Sequence, residues 1–247
     1  MWRLSVKPLN DFACKRYTSQ RGQTGMLIEI MRRLGIASGS CLEFGASDGV
    51  YCSNIRHFYL NGWECGYIEA DVDKYQELCI NTPDAKHMCM RVTCEPNATL
   101  DWSIKQLRMN ELTLLCIDVD GIDYWIWKSL EQHPAVVCIE YNSNFDPEEQ
   151  RVIEYDPNFN WRNGDTYYGA SAGAMCSLAY DKGYALVAYA LGNDLIFLRR
   201  DLLASHSAQF DEIPVTALVK KPAHVDRTHL EMVDLLADNV AQTELDT

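Results

Sequence analysis

The sequence has ten cysteines but no Cys-x-x-Cys pair, so neither a zinc knuckle nor a thioredoxin-type redox site is indicated. It has no Gly-x-Gly-x-x-Gly dinucleotide fingerprint and no Walker A lysine, which weighs against NAD and nucleoside triphosphates. No apolar run approaches transmembrane length, so no membrane partner is expected. The opening MWRLSVKPLNDFACKRY lacks the continuous apolar core of a signal peptide. Positive charge is also short. Lys and Arg number 22 against 35 Asp and Glu, a net charge of −13, which argues against a general binder of nucleic-acid backbones. Neither an internal repeat nor a low-complexity linker is present.

What remains is the composition of an ordinary globular chain. At 247 residues, 47% hydrophobic and 23% charged, it can bury a substantial core as one large α/β domain or two small ones. Cys41, Cys65, Cys89, Cys116 and Cys138 sit within apolar, strand-like runs, where cysteine behaves as a small hydrophobe. A reducing cytoplasm is the expected location.

The order of elements is more informative. TGMLIEIMRRL (24–34) carries apolar residues at helical spacing and stops at Gly35. SCLEFGA (40–46), WECGYIEAD (63–71), KHMCMRV (86–92), the LLCI run (114–117) and AVVCIEYN (135–142) read as five strands. Helical segments alternate with them: VYCSNIRHFYLNG (50–62), VDKYQELCI (72–80), LDWSIKQLRMN (100–110) and DYWIWKSLEQ (123–132). Such alternation predicts right-handed crossovers and a parallel sheet with helices on both faces. An irregular aromatic and acidic insert follows (143–170). A helix (171–183) then leads to YALVAYAL and LIFLRR, joined by Gly192-Asn193-Asp194, which is hairpin chemistry. A parallel α/β run ending in an antiparallel hairpin is the order of the Rossmann-like class I methyltransferase fold, with a mostly parallel seven-stranded sheet. The acidic end of the chain predicts one more helix, Thr228 to Asn239.

Ligands of open α/β sheets bind beyond the carboxyl ends of the strands. The first such end is Glu43-Phe44-Gly45-Ala46-Ser47-Asp48-Gly49, whose glycines allow a tight turn and a close approach. The second ends in Glu69-Ala70-Asp71. There Glu69 can accept hydrogen bonds from two ribose hydroxyls, while Asp71 equally suits the cap of the next helix.

YTSQRGQTGMLIEIMRRLGI, LEFGASDGVYCSNIRHF, GYIEAD, CIDVDGIDYWIWKSL, VVCIEYNSNF and YYGASAGAMCSLAYDKGYALV together resemble the FkbM-type methyltransferases, from about residue 17 to 200. The resemblance implies a methyltransferase domain over 1–200, with 143–170 as a substrate-side insert and 201–247 as an extension. It implies S-adenosylmethionine as donor, and a small-molecule or sugar hydroxyl as acceptor. On the family's first motif, Glu43, Gly45, Ser47 and Gly49 would line the donor site, joined by Ser53 and Asn54 from the following helix. Tyr17, Ser19 and Gln20 would close over the donor. The resemblance leaves the oligomeric state open, a homodimer included.

The fourth strand runs straight into Asp118, Asp120 and Asp123. Carboxylates so close repel one another, and burying them unpaired is costly. Several small-molecule O-methyltransferases, catechol O-methyltransferase among them, hold Mg²⁺ between the ends of the fourth and fifth strands. Here those ends offer Asp118 and Asp120, and Glu140 and Asn142, all hard oxygen ligands suited to Mg²⁺. Without an ion, Asp118 or Asp120 becomes the candidate general base. The plainer alternative has Asp120 starting a turn with Gly121, Asp123 capping the helix and Glu140 meeting an arginine. Phe159, Trp161, Tyr167 and Tyr168 are candidates for the acceptor wall. Trp125 and Trp127 read as packing residues, and His57 and His133 as helical histidines rather than bases. Two other functions fit the same residues: an N-methyltransferase needing no metal, and a silent S-adenosylmethionine-binding module that docks through its acidic tail.

Overall fold

The computed structural model describes residues 6–162, 164–220 and 232–235. The alternation is as expected: α1 (Gln23–Leu34), β1 (Ser40–Phe44), α2 (Arg56–Leu60), β2 (Glu64–Glu69), α3 (Val72–Asn81), β3 (Lys86–Cys89), α4 (Leu100–Gln106), β4 (Leu114–Ile117), α5 (Asp123–Ser129) and β5 (Val136–Glu140). A two-residue strand, β6 (Arg151–Val152), precedes α6 (Ala172–Asp181), and β7 (Tyr184–Ala190) and β8 (Asp194–Arg199) form the hairpin. Then come α7 (Arg200–Ser205) and β9 (Val233–Asp234).

Seven strands form one sheet in the order β3-β2-β1-β4-β5-β8-β7. β1 to β5 pair in parallel, and β8 runs antiparallel between β5 and β7. This is the Rossmann-like class I methyltransferase fold. Alternation along each strand sends side chains to opposite faces. Leu42, Phe44, Leu115, Ile117, Val137 and Ile139 pack on one face. Cys41, Cys65, Leu114, Cys116, Val136 and Cys138 pack on the other, under Met26, Leu27 and Ile30 of α1. Glu43 therefore points to the cysteine-lined face, a carboxylate in an apolar layer that must find partners there.

Several expectations are corrected. The helix read from 50 to 62 is only Arg56–Leu60. Residues before it are committed elsewhere: Glu43 accepts from Ser53 Oγ and Asn54 N, each at 2.6 Å, so they cannot continue a helix. The 143–170 insert is not wholly irregular, because β6 pairs antiparallel with β9. That pairing makes Val233–Asp234 a strand within the span read as a helix from Thr228 to Asn239; the remainder of that span, apart from Met232 and Leu235, lies outside the described residues. His133 sits in the loop after α5, not on a helix, and Cys89 is exposed, whereas Cys41, Cys65, Cys116 and Cys138 are buried. Among the described residues, no helix is long and apolar enough to cross a membrane.

Candidate active site

The turn after β1 begins with Gly45, whose φ of 72° lies in the left-handed region. A side chain there would also run into the backbone carbonyl of Asp118. Only glycine lets the β1 and β4 ends meet this closely. Ser47 N donates to Glu69 Oε2 at 2.6 Å, and Asp71 N donates to Glu69 Oε1 at 2.8 Å. Glu69 therefore ties the first strand end to the second. Asp71 caps α3, accepting from Asp73 N and Lys74 N. Burial pushes the Glu43 carboxyl up to about 7, although its bonds from Ser53 and Asn54 oppose the shift.

Above these loops lies a cleft in two halves. One, of about 390 Å³, lies over the ends of β1 to β4 and is lined by Phe44, Glu69, Lys74, Arg91 and Ile122 among others. The second, of about 590 Å³, is lined by Glu43, Ser53, Asn54, Glu140, Tyr168 and Asn193 among others. Gly45, Ser47, Asp118, Asp120 and Trp161 line both halves. The two aspartates thus stand at the waist where the two cavities adjoin. Ser47, Cys52 and Asp120 line the second half with left-handed φ values of 48°, 60° and 53°. Strained non-glycine residues cluster where surrounding structure over-determines them, commonly at ligand sites. Of the expected donor residues, Gly49 lines neither half. It holds the turn instead, with φ 72° and its α-carbon packed toward Leu78. Ser53 and Asn54 reach the cleft from the turn before α2 rather than from the helix.

Asp118, Asp120 and Glu140 bring carboxylate oxygens within 4.8 Å of one another. Burial and the neighbouring acidic groups hold Asp118 and Glu140 well above the usual carboxylate range, and burial raises Asp120. Asp118 and Asp120 do not meet through strand alternation, since β4 stops at Ile117 and Asp120 is left-handed. Asp123 makes the meeting. Its two carboxylate oxygens accept from Val119 N at 2.8 Å and Gly121 N at 2.9 Å, folding the segment back on itself. Asp123 thus fastens the preceding turn rather than capping α5.

Among the described residues Glu140 meets no arginine, and its buried Oε2 has no hydrogen-bond partner. Among the described residues, none of the three carboxylates is in an ion pair with Lys or Arg. An all-oxygen trio with an orphaned buried oxygen and no cation fits a hard divalent ion. Asn142, expected as a fourth ligand, does not fit. Its Nδ2 donates to the carbonyls of Thr166 and Tyr168, and its Oδ1 accepts from Asn144 N and Nδ2. Both ends of that amide are occupied in holding the insert.

The insert covers the cleft. Arg91 donates to Phe159 O at 2.9 Å and Asn160 Oδ1 at 2.7 Å, which ties the insert to the segment after β3. Phe159 lines the first half, Tyr168 the second, and Trp161 both. Tyr167 lines neither; its hydroxyl accepts from Glu154 N. Trp125 donates to Ile153 O, and Trp127 is buried against Phe197, as packing residues should be. Gln20 reaches the second half, whereas Ser19 Oγ accepts from Thr24 N and Tyr17 packs edge-on against His57.

Sequence reasoning missed Arg21, Lys74, Arg91 and Asp194. Asp194 was read only as part of a hairpin, yet it is buried, faces Glu140 across the sheet and accepts from Gln23 Nε2 and Asn193 Nδ2. A carboxylate opening a buried strand was the available signal.

No family profile and no curated protein matches this chain significantly. Similar solved structures include the N-terminal domain of EvdMO1 with SAH bound, at 11% identity, 74% coverage of this chain, 82% of that chain and TM-score 0.46. DesVI of Streptomyces venezuelae is 14% identical over 74% of this chain and 93% of that one, with TM-score 0.45. A TehB-like SAM-dependent methyltransferase from Corynebacterium glutamicum is 10% identical over 65% and 79%, with TM-score 0.36. At these values the fold assignment stands on this chain's own strand order.

Proposed function

We propose that this chain is an S-adenosylmethionine-dependent methyltransferase acting on a hydroxyl of a small molecule or sugar, assisted by a divalent cation, with Mg²⁺ the leading candidate. The observation that carries the reading is the position of Asp118 and Asp120, at the waist where both halves of the cleft meet. The donor supplies an electrophilic methyl on a sulfonium; the ion, when bound, makes a nearby hydroxyl more acidic.

The residues divide the work. Glu69, on the first half, offers carboxylate oxygens to ribose hydroxyls, and Gly45 lets the β1 and β4 ends meet at the waist. Glu43 fixes Ser53 and Asn54, and so the shape of the second half. Asp118, Asp120 and Glu140 would hold the cation, and without it Asp118 or Asp120 accepts the proton of the acceptor hydroxyl. Tyr168 and Trp161 wall off water and orient the acceptor, so that the reacting oxygen lies in line with the methyl.

The test is turnover to S-adenosylhomocysteine with a panel of hydroxylated small molecules and sugars, in parallel with amines, with and without Mg²⁺. Methylation confined to hydroxyls and abolished by EDTA is expected. Transfer to amines without metal would move the assignment to nitrogen. Failure to bind S-adenosylhomocysteine at millimolar concentration would end the methyltransferase reading altogether.

A further inference from the structure

Among the described residues, the second half of the cleft holds Glu43, Asp118, Asp120 and Glu140, and one cationic side chain, Arg21. Arg21 is exposed on the rim and is in no ion pair among the described residues. The other cations of the cleft, Lys74 and Arg91, belong to the first half and already have partners, Glu77 and the insert respectively.

The segment that carries Arg21 is a built strap, not a loose end. Ser19 bridges in parallel to Cys52. Thr18 Oγ1 donates to Ser53 O at 2.7 Å, and Thr24 Oγ1 donates to Asn54 O at 3.1 Å. Arg21 N donates to Gln23 Oε1 at 2.7 Å, and Gln23 Nε2 in turn donates to Asp194. Gly22 makes the turn possible: its φ is 90°, and a Cβ there would stand 2.6 Å from Cys14 N. The strap is thus fastened along residues 52–54, which line the second half beside Glu43.

We infer that Arg21 is the anchor for the donor's α-carboxylate. The inference rests on the methyltransferase reading. With the ribose at Glu69 and the sulfonium at the waist, the amino-acid end of the donor extends into the second half. That end is a zwitterion: its ammonium suits the acidic groups of this half, while its carboxylate needs a cation of its own to meet it. Among the described residues Arg21 is the one cationic side chain lining that half, and its planar fork suits a carboxylate. The strap brings it to the segment over which that end of the donor would lie.

The experiment is calorimetry on the full chain with two probes: S-adenosylhomocysteine, and 5′-methylthioadenosine, which lacks the amino-acid group. Arg21→Gln should weaken S-adenosylhomocysteine about 10- to 100-fold. It should leave 5′-methylthioadenosine within twofold, and Arg21→Lys should restore part of the loss. Unchanged S-adenosylhomocysteine affinity in Arg21→Gln overturns the inference. So does an equal loss for both probes, which would mean that the strap had collapsed. Wild-type protein that binds neither probe overturns the methyltransferase reading itself, and the anchor with it.

Discussion

Asp118 directly follows β4 and Glu140 closes the adjacent parallel β5, with a carboxylate oxygen of each within 4.8 Å of the other, and among the described residues the buried Glu140 Oε2 has no hydrogen-bond partner. Two acidic groups in that relation cannot both be charged cheaply without a cation or a shared proton. Divalent cation binding should therefore be detectable without any acceptor. Mg²⁺ or Mn²⁺ should raise the melting temperature of the wild-type protein, while Glu140→Gln and Asp120→Asn should lose most of that shift. Equal shifts in all three proteins would place the ion elsewhere.

Glu43 makes a pH prediction. Burial raises its folded-state pKa from 4.5 to about 7, above its value in the unfolded chain, so the folded protein holds this proton longer. Its contribution to stability is fully present below about pH 4.5 and drains away as pH rises through about 7. The whole effect is roughly 3 kcal/mol, at about 1.4 kcal/mol per unit. Between pH 5 and 8, wild-type stability in urea should fall more steeply than that of Glu43→Gln. Parallel slopes would mean that Glu43 is not the group responsible.

Glu69→Ala removes both the proposed ribose partner and the tie from Ser47 N to Asp71 N. Affinity for S-adenosylhomocysteine should drop by roughly 1.5–3 kcal/mol, the worth of a charge-assisted hydrogen bond. Calorimetry showing no change would take Glu69 out of the binding site.

Gly45→Ala should be poorly tolerated, because the new methyl group meets the Asp118 carbonyl and the backbone is left-handed. A loss of about 1–3 kcal/mol or more in denaturant unfolding is expected, with weakened S-adenosylhomocysteine binding. Gly35→Ala serves as the control, since its φ of 70° carries the same backbone penalty with nothing within 4 Å of the new methyl group. Equal losses in the two variants would leave the contact with Asp118 without consequence.

The sheet was legible because the strands declare themselves as short apolar runs, and the hairpin because Gly192-Asn193-Asp194 separates two of them. Glu43, Gly45, Glu69, Asp118, Asp120 and Glu140 were legible as residues placed where strands surface. What the sequence hid is which groups are committed to one another. Asn142 looked like a ligand by type and position, but its amide faces Thr166, Tyr168 and Asn144, partners the spacing alone does not reveal. Gly49 matched a motif and yet supports rather than lines the cleft. Residues 50–55 read as the start of a helix, but Val, Tyr, Cys, Ser, Asn and Ile are weak helix formers, and Ser53 and Asn54 are committed to Glu43 and to Thr18 and Thr24 instead. Arg21 escaped notice because a single exposed arginine has no periodicity.

The strap joins the two ends of the fold as well as shaping the cleft. Gln23 reaches Asp194, and Asn10 Nδ2 donates to Tyr189 O at 2.9 Å, contacts 171 and 179 residues apart in the chain. The second half of the cleft is therefore complete only when the β7–β8 hairpin is docked against residues 10–23. On the proposed function, donor capture would report on completed folding: a nascent or nicked chain lacking the hairpin would have the glycine turn but not the finished pocket. In the cell, ligand would then favour only finished molecules, since whatever binds the native state alone draws the folding equilibrium toward it. Saturating ligand should accordingly slow proteolysis across the whole domain, the distant hairpin included, rather than at the glycine loop alone.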